Sequence, residues 1–221
     1  MNNHFISKLV RFILYGLVAV SVVTIFSNIM QIDFMNGLVD GIYSEDTVYT
    51  LAEKNDARVE LIGGVQAICY LCSMFIIFRW LYVSAKINHL SGIKGLSRGP
   101  GWSVGWFFVP FANLVMPYRA LKENFRASFN NENWQANKVP YYFPIWWAAF
   151  LIQNLCSGAS TNMWRSIHAS ETFSYDLIIQ ASTLDIVTDV ILIINAIFLL
   201  KIVNIVSENQ KDKEFHLSVT K

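Results

Sequence analysis

Polar side chains interrupt the last apolar block of the sequence, which runs from about residue 183 to residue 206. Asp185 and Asp189 are four residues apart, so a helix would place both carboxylates on one face. The same side of that helix would also carry Ser182, Thr188 and Asn195. Carboxylates inside a membrane are energetically costly and by default mark a path for protons or ions. The alternative stays open that both lie within about 10 Å of the outer surface and there pair with Arg165 or meet water.

No enzyme signature accompanies these carboxylates. Cys69 and Cys72 form the run CYLC inside an apolar block, with no second cysteine pair and no nearby histidine, so they predict neither a zinc nor a redox site. The sequence contains none of the motifs GxSxG, HExxH and GxxxxGK[ST]. The histidines are scattered over termini and loops, at positions His4, His89, His168 and His216. We therefore expect no catalytic residues, no cofactor and no metal, and a protein that is not an enzyme.

The composition indicates a protein that lives in lipid. Hydrophobic residues make up 54% of the chain and charged residues 15%, whereas an ordinary soluble domain is about 25% charged. The apolar residues occur in long blocks separated by short polar ones, which is typical of membrane-spanning helices. The net charge of +1 gives no general attraction to nucleic acid. We expect an all-α integral membrane protein with membrane lipid, and no nucleic acid, among its partners.

Four apolar blocks are long enough to cross a membrane, since about 20 helical residues span a hydrocarbon core of roughly 30 Å. They cover residues 12–32, 61–83, 143–164 and 183–206. The first lacks the short apolar region and small-residue cleavage site of a secretory signal, so we expect a retained anchor. A further stretch, Trp102 to Met116, would extend only about 22 Å as a helix, which is too short.

The positive charges predict how the chain is threaded, because Lys and Arg accumulate on the cytoplasmic side of short loops. If the short stretch returns to the side that it entered, every cation except Lys54, Arg58 and Arg165 is cytoplasmic. If it crosses, the 17 cations divide against this bias. The sequence thus predicts four spans and two cytoplasmic termini. It further predicts one polytopic membrane domain, residues 1–206, followed by a mobile polar cytoplasmic tail, residues 207–221.

Prolines break the short stretch, for which we predict partial insertion over residues 102–117. Pro110 removes a helix hydrogen bond near its middle, and Pro117 removes another. Non-helical backbone at membrane depth is tolerated only where protein or water satisfies its polar groups. A re-entrant hairpin and a shallow, broken half-helix both fit this pattern.

An amphipathic helix is predicted directly after the break, over residues 117–129. Its apolar positions, Tyr118, Leu121, Phe125 and Phe129, recur at helical spacing. The opposite side carries Arg119, Lys122, Glu123 and Arg126. We expect this helix to lie in the membrane interface, with Arg119, Lys122 and Arg126 at anionic headgroups and the aromatic rings in the acyl boundary.

The run GWSVGWFFVPFANLVMPYRALKENF, from Gly101 to Phe125, resembles the signature of a bacterial membrane family, domain of unknown function 4328, whose core reads GWFVP-x-x-NL-x-x-PY-R. The matching positions are Gly105, Trp106, Phe108, Val109, Pro110, Asn113, Leu114, Pro117, Tyr118 and Arg119. Phe107 is an extra residue, and Phe125 stands where the family usually has Trp. The resemblance implies a multipass protein of the bacterial cytoplasmic membrane and implies no activity.

The motif residues allow two interpretations. In one, they form a ligand or ion site built on a broken helix, as in transporters; the residues of this site would be Trp106, Pro110, Asn113, Pro117, Tyr118 and Arg119. In the other, the motif serves folding: Asn113 satisfies backbone groups freed by Pro110, Trp106 and Tyr118 anchor at the interface, and Arg119 meets phosphate.

Two functional hypotheses follow from the sequence. The first is a small membrane scaffold or regulatory component that binds lipid, other membrane proteins or further copies of itself through its aromatic and basic cytoplasmic surface. The second is a channel or transporter subunit in which the broken segment and the face of Asp185 and Asp189 line a path.

Overall fold

The computed structural model describes residues 3–129, 133–170 and 172–219. All the regular structure in these ranges is helical, which confirms the predicted all-α class. The α-helices are α1 Asn3–Val39, α2 Glu45–Leu90, α3 Trp102–Gly105, α4 Met116–Ser128, α5 Tyr142–Ala169, α6 Tyr175–Asn209 and α7 Lys211–Val219. Short 3-10 turns lie at Trp106–Phe108, Ala112–Leu114 and Trp134–Ala136.

Three of the described helices, α1, α2 and α6, are long and apolar enough to cross a membrane. They contain the first, second and fourth predicted spans, and their presence is consistent with a membrane protein. Helix α5, which contains the predicted third span, is not among them. Polar residues on α5, among them Gln153, Asn154 and Asn162, lower its average apolarity.

The long helices extend well beyond the predicted spans. Helix α1 has 37 residues and α2 has 46, so at 1.5 Å per residue they are about 55 Å and 69 Å long. The acidic stretch between the first two predicted spans is therefore mostly helical. A chain reversal of only five residues, Asp40–Ser44, separates the two helices.

Glycines in left-handed conformations end both α1 and α2. Gly41 has φ 65°, and the Ile42 N–H donates to Gly37 O at 2.9 Å. Gly92 has φ 73°, and the Ile93 N–H donates to Asn88 O at 3.4 Å. This six-residue closure satisfies carbonyls that would otherwise lack partners at a helix end, and it favours glycine because the residue has no Cβ. The two reversals thus have a local cause in the sequence.

The chain divides into two compact units. The first comprises residues 1–15, 71–147 and 197–221, and the second comprises 16–70 and 148–196. Each of the four long helices contributes residues to both. This division does not test whether residues 1–206 form the single membrane domain expected from the sequence, which stays a prediction.

The first unit has an apolar core around Trp80, Phe125 and Phe143, each at most 1% exposed. Beside this core lies a buried polar network. Asn88 Nδ2 donates to Asn124 Oδ1 at 2.7 Å, and Gln210 Nε2 donates to Asn88 Oδ1 at 3.0 Å. Burying so many amides is tolerable because they satisfy one another. The network joins α2, α4 and the end of the chain.

The expectation of a mobile C-terminal tail is wrong for the described part of residues 207–221. Helix α6 continues to Asn209, and α7 follows from Lys211. Gln210 and Lys213 are 0% and 4% exposed. The polar composition that suggested a tail instead supplies partners for the network.

The second unit packs the beginning of α6 against the α1–α2 turn. Phe34, Met35 and Ile178 form its buried apolar cluster, and Tyr43 and Trp164 pack against it. This cluster holds the four long helices of the unit together beside a cavity.

Candidate functional site

A cavity of about 410 Å³ with polar and apolar lining lies within the second unit. Residues of α1, α2, α5 and α6 line it. Its polar lining includes Thr24, Asn28, Gln66, Gln153, Thr188 and both aspartates. The sequence indicated the α6 face of this cavity; the residues that α1 and α2 contribute were missed.

The two aspartates predicted to share a face both line this cavity. Gln66 Nε2 donates to Asp189 Oδ1 at 2.5 Å. Asp185 accepts hydrogen bonds from the Ser160 hydroxyl and, at 2.8 Å, from Trp164 Nε1. Asp189 is only 4% exposed. Neutral donors from α2 and α5 therefore hold both carboxylates in position.

The ion pair with Arg165, which the sequence left open as an alternative to contact with water, is not formed among the described residues. Neither aspartate has a described cation within salt-bridge distance. Asn195, the third predicted polar residue, is 8% exposed but is not among the described residues that line the cavity. Arg58 instead donates to Ser27 Oγ at 3.2 Å and to Asn55 Oδ1 at 2.7 Å. The cavity therefore keeps two carboxylates without a neutralising cation in the described residues.

Two buried amides add to the polar lining. Asn28 and Gln153 are 5% and 6% exposed, and both line the cavity. Among the described residues, neither side chain makes a hydrogen bond to another group. Buried amides are nearly always hydrogen-bonded, so these two leave donors and acceptors available within the cavity.

The broken segment of the first unit interrupts its helix at Pro110, as predicted. Val109, directly before the proline, is extended with φ −95° and ψ 115°, the conformation that a following proline favours. Phe111 has φ 61°, and the Ala112 N–H donates to Pro110 O at 2.7 Å, which closes a tight γ-turn. The Phe111 side chain is 87% exposed at the tip of this turn.

A tryptophan satisfies the broken backbone. Trp147 Nε1 donates to Leu114 O at 2.9 Å. The expected role of the Asn113 side chain is wrong, because that residue is exposed and only its backbone N–H, which donates to Val109 O at 2.9 Å, takes part. No local sequence pattern predicts Trp147 as this donor, because the contact joins segments 33 residues apart.

The other motif residues pack within the first unit. The rings of Trp102 and Trp106 lie 4.4 Å apart, and a Cβ at Gly105 would come within 3.1 Å of the Trp102 ring. The Tyr118 ring contacts Phe143 at 5.9 Å. Pro117 lies in the first turn of α4, where its missing N–H costs nothing. These contacts favour the folding interpretation of the motif.

Helix α4, Met116–Ser128, covers nearly the same residues as the predicted interfacial helix, 117–129, but the environment of its apolar face differs from the prediction. Leu121 and Phe125 are 3% and 1% exposed, and the Phe125 ring lies 5.3 Å from Phe143. Its apolar face therefore packs on protein and not in the acyl boundary. Of the three cations expected to meet lipid, Arg119 is exposed, while Lys122 and Arg126 are half-buried.

Comparison with known protein families identifies the family of this chain. The model described as "Domain of unknown function (DUF4328)" matches residues 44–208, well over half of the 221 residues. The chain belongs to this family. The match contains all ten motif positions and residues of α2, α5 and α6 that line the cavity. No curated protein and no solved structure matched the chain.

Proposed function

We propose that this member of the DUF4328 family crosses the membrane four times, with α5 as the additional span. The support comes from the chain ends. Asn3 Nδ2 donates to Gln210 Oε1 at 3.0 Å, and Ser207 Oγ donates to Ser7 Oγ at 2.6 Å. Chain ends in contact lie on one side of a membrane, which requires an even number of crossings. Helices α1, α2 and α6 supply three, so α5 supplies the fourth.

The charges support an orientation with both ends in the cytoplasm. Among the described residues, every Lys and Arg except Lys54, Arg58 and Arg165 belongs to the first unit, which also holds both chain ends. Short segments rich in Lys and Arg stay cytoplasmic. The family resemblance supports a bacterial membrane as the location.

Contacts around the broken segment support its return to the cytoplasmic side. Trp134 Nε1, which follows the segment, donates to Lys94 O, which precedes it, at 2.9 Å. Residues 102–108 span only about 10 Å as a helix, so insertion is shallow. Phe108, Phe111 and Leu114 are 69%, 87% and 50% exposed, which suits contact with lipid.

The function that the geometry supports best is the binding of a small polar solute within the membrane part, as a channel or transporter subunit. The observation that carries this proposal is the cavity of about 410 Å³. Ligand sites commonly measure about 300–1,000 Å³ and place a few polar groups in an otherwise apolar wall. Polar groups among spanning helices are energetically costly, and those that are present commonly belong to a functional site.

Cysteine labelling tests whether water and solutes reach this cavity. In a protein whose Cys69, Cys72 and Cys156 are replaced by Ser, we expect Ser157→Cys, a lining position, to react with a neutral water-soluble maleimide. Leu155→Cys, two residues away and 74% exposed, faces lipid and should stay unreactive. Equal reactivity at both positions, or none at Ser157→Cys, contradicts the proposal.

A matched pair of glycine variants tests passage through the cavity. Gly63 lines the cavity and Gly64 does not, yet a Cβ at either position would meet no atom within 4 Å. We expect Gly63→Phe to fill the cavity and abolish the entry of small polar solutes into proteoliposomes, measured by osmotic swelling. Gly64→Phe should leave entry within about twofold of wild type, because both changes alter the same helix equally. Identical behaviour of the two variants argues against passage.

The scaffold function predicted from the sequence has one supporting observation, the exposure of Arg119 on α4. A Gln substitution at Arg119, Lys122 and Arg126 together should lower the amount of anionic lipid that purifies with the protein. Unchanged lipid content would remove this second candidate.

A further inference from the structure

We propose that the cavity of the second unit binds a small organic cation, whose ammonium group lies between Asp185 and Asp189. This inference rests on the proposed solute-binding function and adds the chemical class of the solute. It follows from the charge, the unused hydrogen-bonding groups, the size and the aromatic lining of the cavity.

The charge of the cavity is the first argument. Asp185 accepts hydrogen bonds from Ser160 and Trp164, and Asp189 accepts one from Gln66; all three donors are neutral. A carboxylate offers about four acceptor positions, so both groups can accept more. Carboxylates removed from water are costly without a cationic partner. A cationic ligand would supply the partner that the described residues do not.

Arg58 does not remove this need. Its guanidinium donates to Ser27 and Asn55 and forms no described ion pair with either aspartate. Across the second unit, the described Lys and Arg residues are Lys54, Arg58 and Arg165, whereas carboxylates are several times as many. The field of this unit therefore attracts cations.

The unpartnered amides are the second argument. Asn28 and Gln153 are each more than nine-tenths buried, line the cavity and make no described hydrogen bond. Their carbonyl oxygens can accept hydrogen bonds from an ammonium group, and their N–H groups can donate to a polar substituent of the solute. A polar ligand in the cavity would complete these two amides in place of water.

Size and lining favour an organic cation over a metal ion. The cavity holds the volume of about 14 water molecules at roughly 30 Å³ each, far more than a dehydrated ion needs. A calcium ion would require six to eight oxygen ligands at about 2.3–2.6 Å, and the described residues contain no group of three His, Cys, Asp or Glu side chains that could hold a metal. Tyr70 and Trp164 line the cavity with aromatic rings, which attract ammonium groups. Ile62 and Leu192 can cover a hydrocarbon portion.

Three probes of one shape test this class. Phenethylammonium, 2-phenylethanol and phenylacetate share a skeleton and differ in charge. On the full-length protein in nanodiscs, calorimetry should show the ammonium compound binding at least about 10-fold more tightly than the alcohol, the size of a charge-assisted hydrogen bond. The carboxylate should bind more weakly still. Equal binding of the ammonium compound and the alcohol overturns the inference.

Aspartate variants connect the preference to the site. Asp185→Asn and Asp189→Asn should each reduce binding of the ammonium compound about 10-fold or more, and change binding of the alcohol by less than about twofold. Asp176→Asn is the matched control, because Asp176 is an exposed carboxylate of the same helix that does not line the cavity. An ammonium preference that survives both lining variants overturns the inference. If either variant fails to fold, the three probes on the wild-type protein still decide it.

Failure of this inference differs from failure of the proposed function. If Ser157→Cys reacts and the alcohol slows its labelling as well as the ammonium compound does, the cavity binds solutes without selecting cations. If Ser157→Cys does not react and no probe binds, both proposals are wrong.

Discussion

Lys213 is a buried cation in a part of the chain whose composition suggested exposure to water. Only 4% of its surface is exposed, and its Nζ donates to Ala127 O at 2.7 Å. Ala127 lies in the last turn of α4, where carbonyl groups lack helix partners and the helix dipole favours a positive charge. The Lys213 side chain, which belongs to α7, therefore caps the C-terminal end of α4.

The burial of Lys213 predicts a pH dependence of stability. Burial lowers the pKa of Lys213 from 10.5 to about 8, so between these values the unfolded chain binds more protons than the folded one. Stability should therefore rise with pH across that window, by about 3 kcal/mol in all. We expect Lys213→Met to remove this rise in thermal unfolding scans of detergent-solubilised protein between pH 7.5 and 10.5.

Lys211→Met is the control for this measurement. Lys211 is on the same helix and its side chain is 50% exposed, so its removal should leave the rise in place. Parallel pH curves for wild type and Lys213→Met would show that the ammonium group is not buried in solution.

At the same scale, only part of the cavity could be predicted from the sequence. The spacing of Asp185 and Asp189 indicates a shared helical face, because helical periodicity is a local property. Their donors, Gln66 and Ser160, come from other helices. Without knowing how those helices pack, no sequence pattern connects either residue to the aspartates.

Among the elements, the broken segment shows how a local rule sets a structure. Pro110 predicts the interruption and Pro117 the new helix, since proline geometry acts on adjacent residues. The helix ends were harder to predict: α1 continues to Val39, beyond the predicted span, and α2 begins at Glu45 in an acidic stretch with few apolar residues. The burial of the α4 aromatic face was not predictable either, because an amphipathic pattern fits a protein surface as well as a lipid one.

The exposed tip of the broken segment predicts contact with lipid. A spin label at Phe111→Cys, in the cysteine-free protein in liposomes, should show high collision rates with oxygen and low rates with a water-soluble nickel complex. A label at Lys94→Cys, an exposed position before the segment, should show the reverse. A Phe111 label that collides more often with the nickel complex than with oxygen would contradict shallow insertion.

At the scale of the whole molecule, the two units differ in the sign of their charged residues. Residues 16–70 and 148–196 contain most of the carboxylates, and the other unit contains most of the cations. The count of cations per loop predicted a topology from the sequence, and that topology stays a prediction. The apolarity of α5 could not be judged in the same way, because its polar residues reduce the signal that hydropathy measures.

The proposed threading predicts which positions are accessible from outside the cell. In intact cells expressing the cysteine-free protein, a membrane-impermeant maleimide should label Lys54→Cys but neither Lys94→Cys nor Lys138→Cys. All three positions are exposed, so all three should react after the cells are opened. Labelling of Lys94→Cys and Lys138→Cys from opposite faces would mean that the intervening segment crosses the bilayer.

The pairing of Asn3 with Gln210 joins residues separated by 207 positions, and its consequence concerns synthesis. Ser7 must likewise wait for Ser207. A nascent chain whose last few dozen residues are still held in the ribosome has made its early helices but cannot yet form either hydrogen bond. These two contacts therefore form only after translation is complete. A premature stop codon before residue 207 would release a protein that can make neither hydrogen bond.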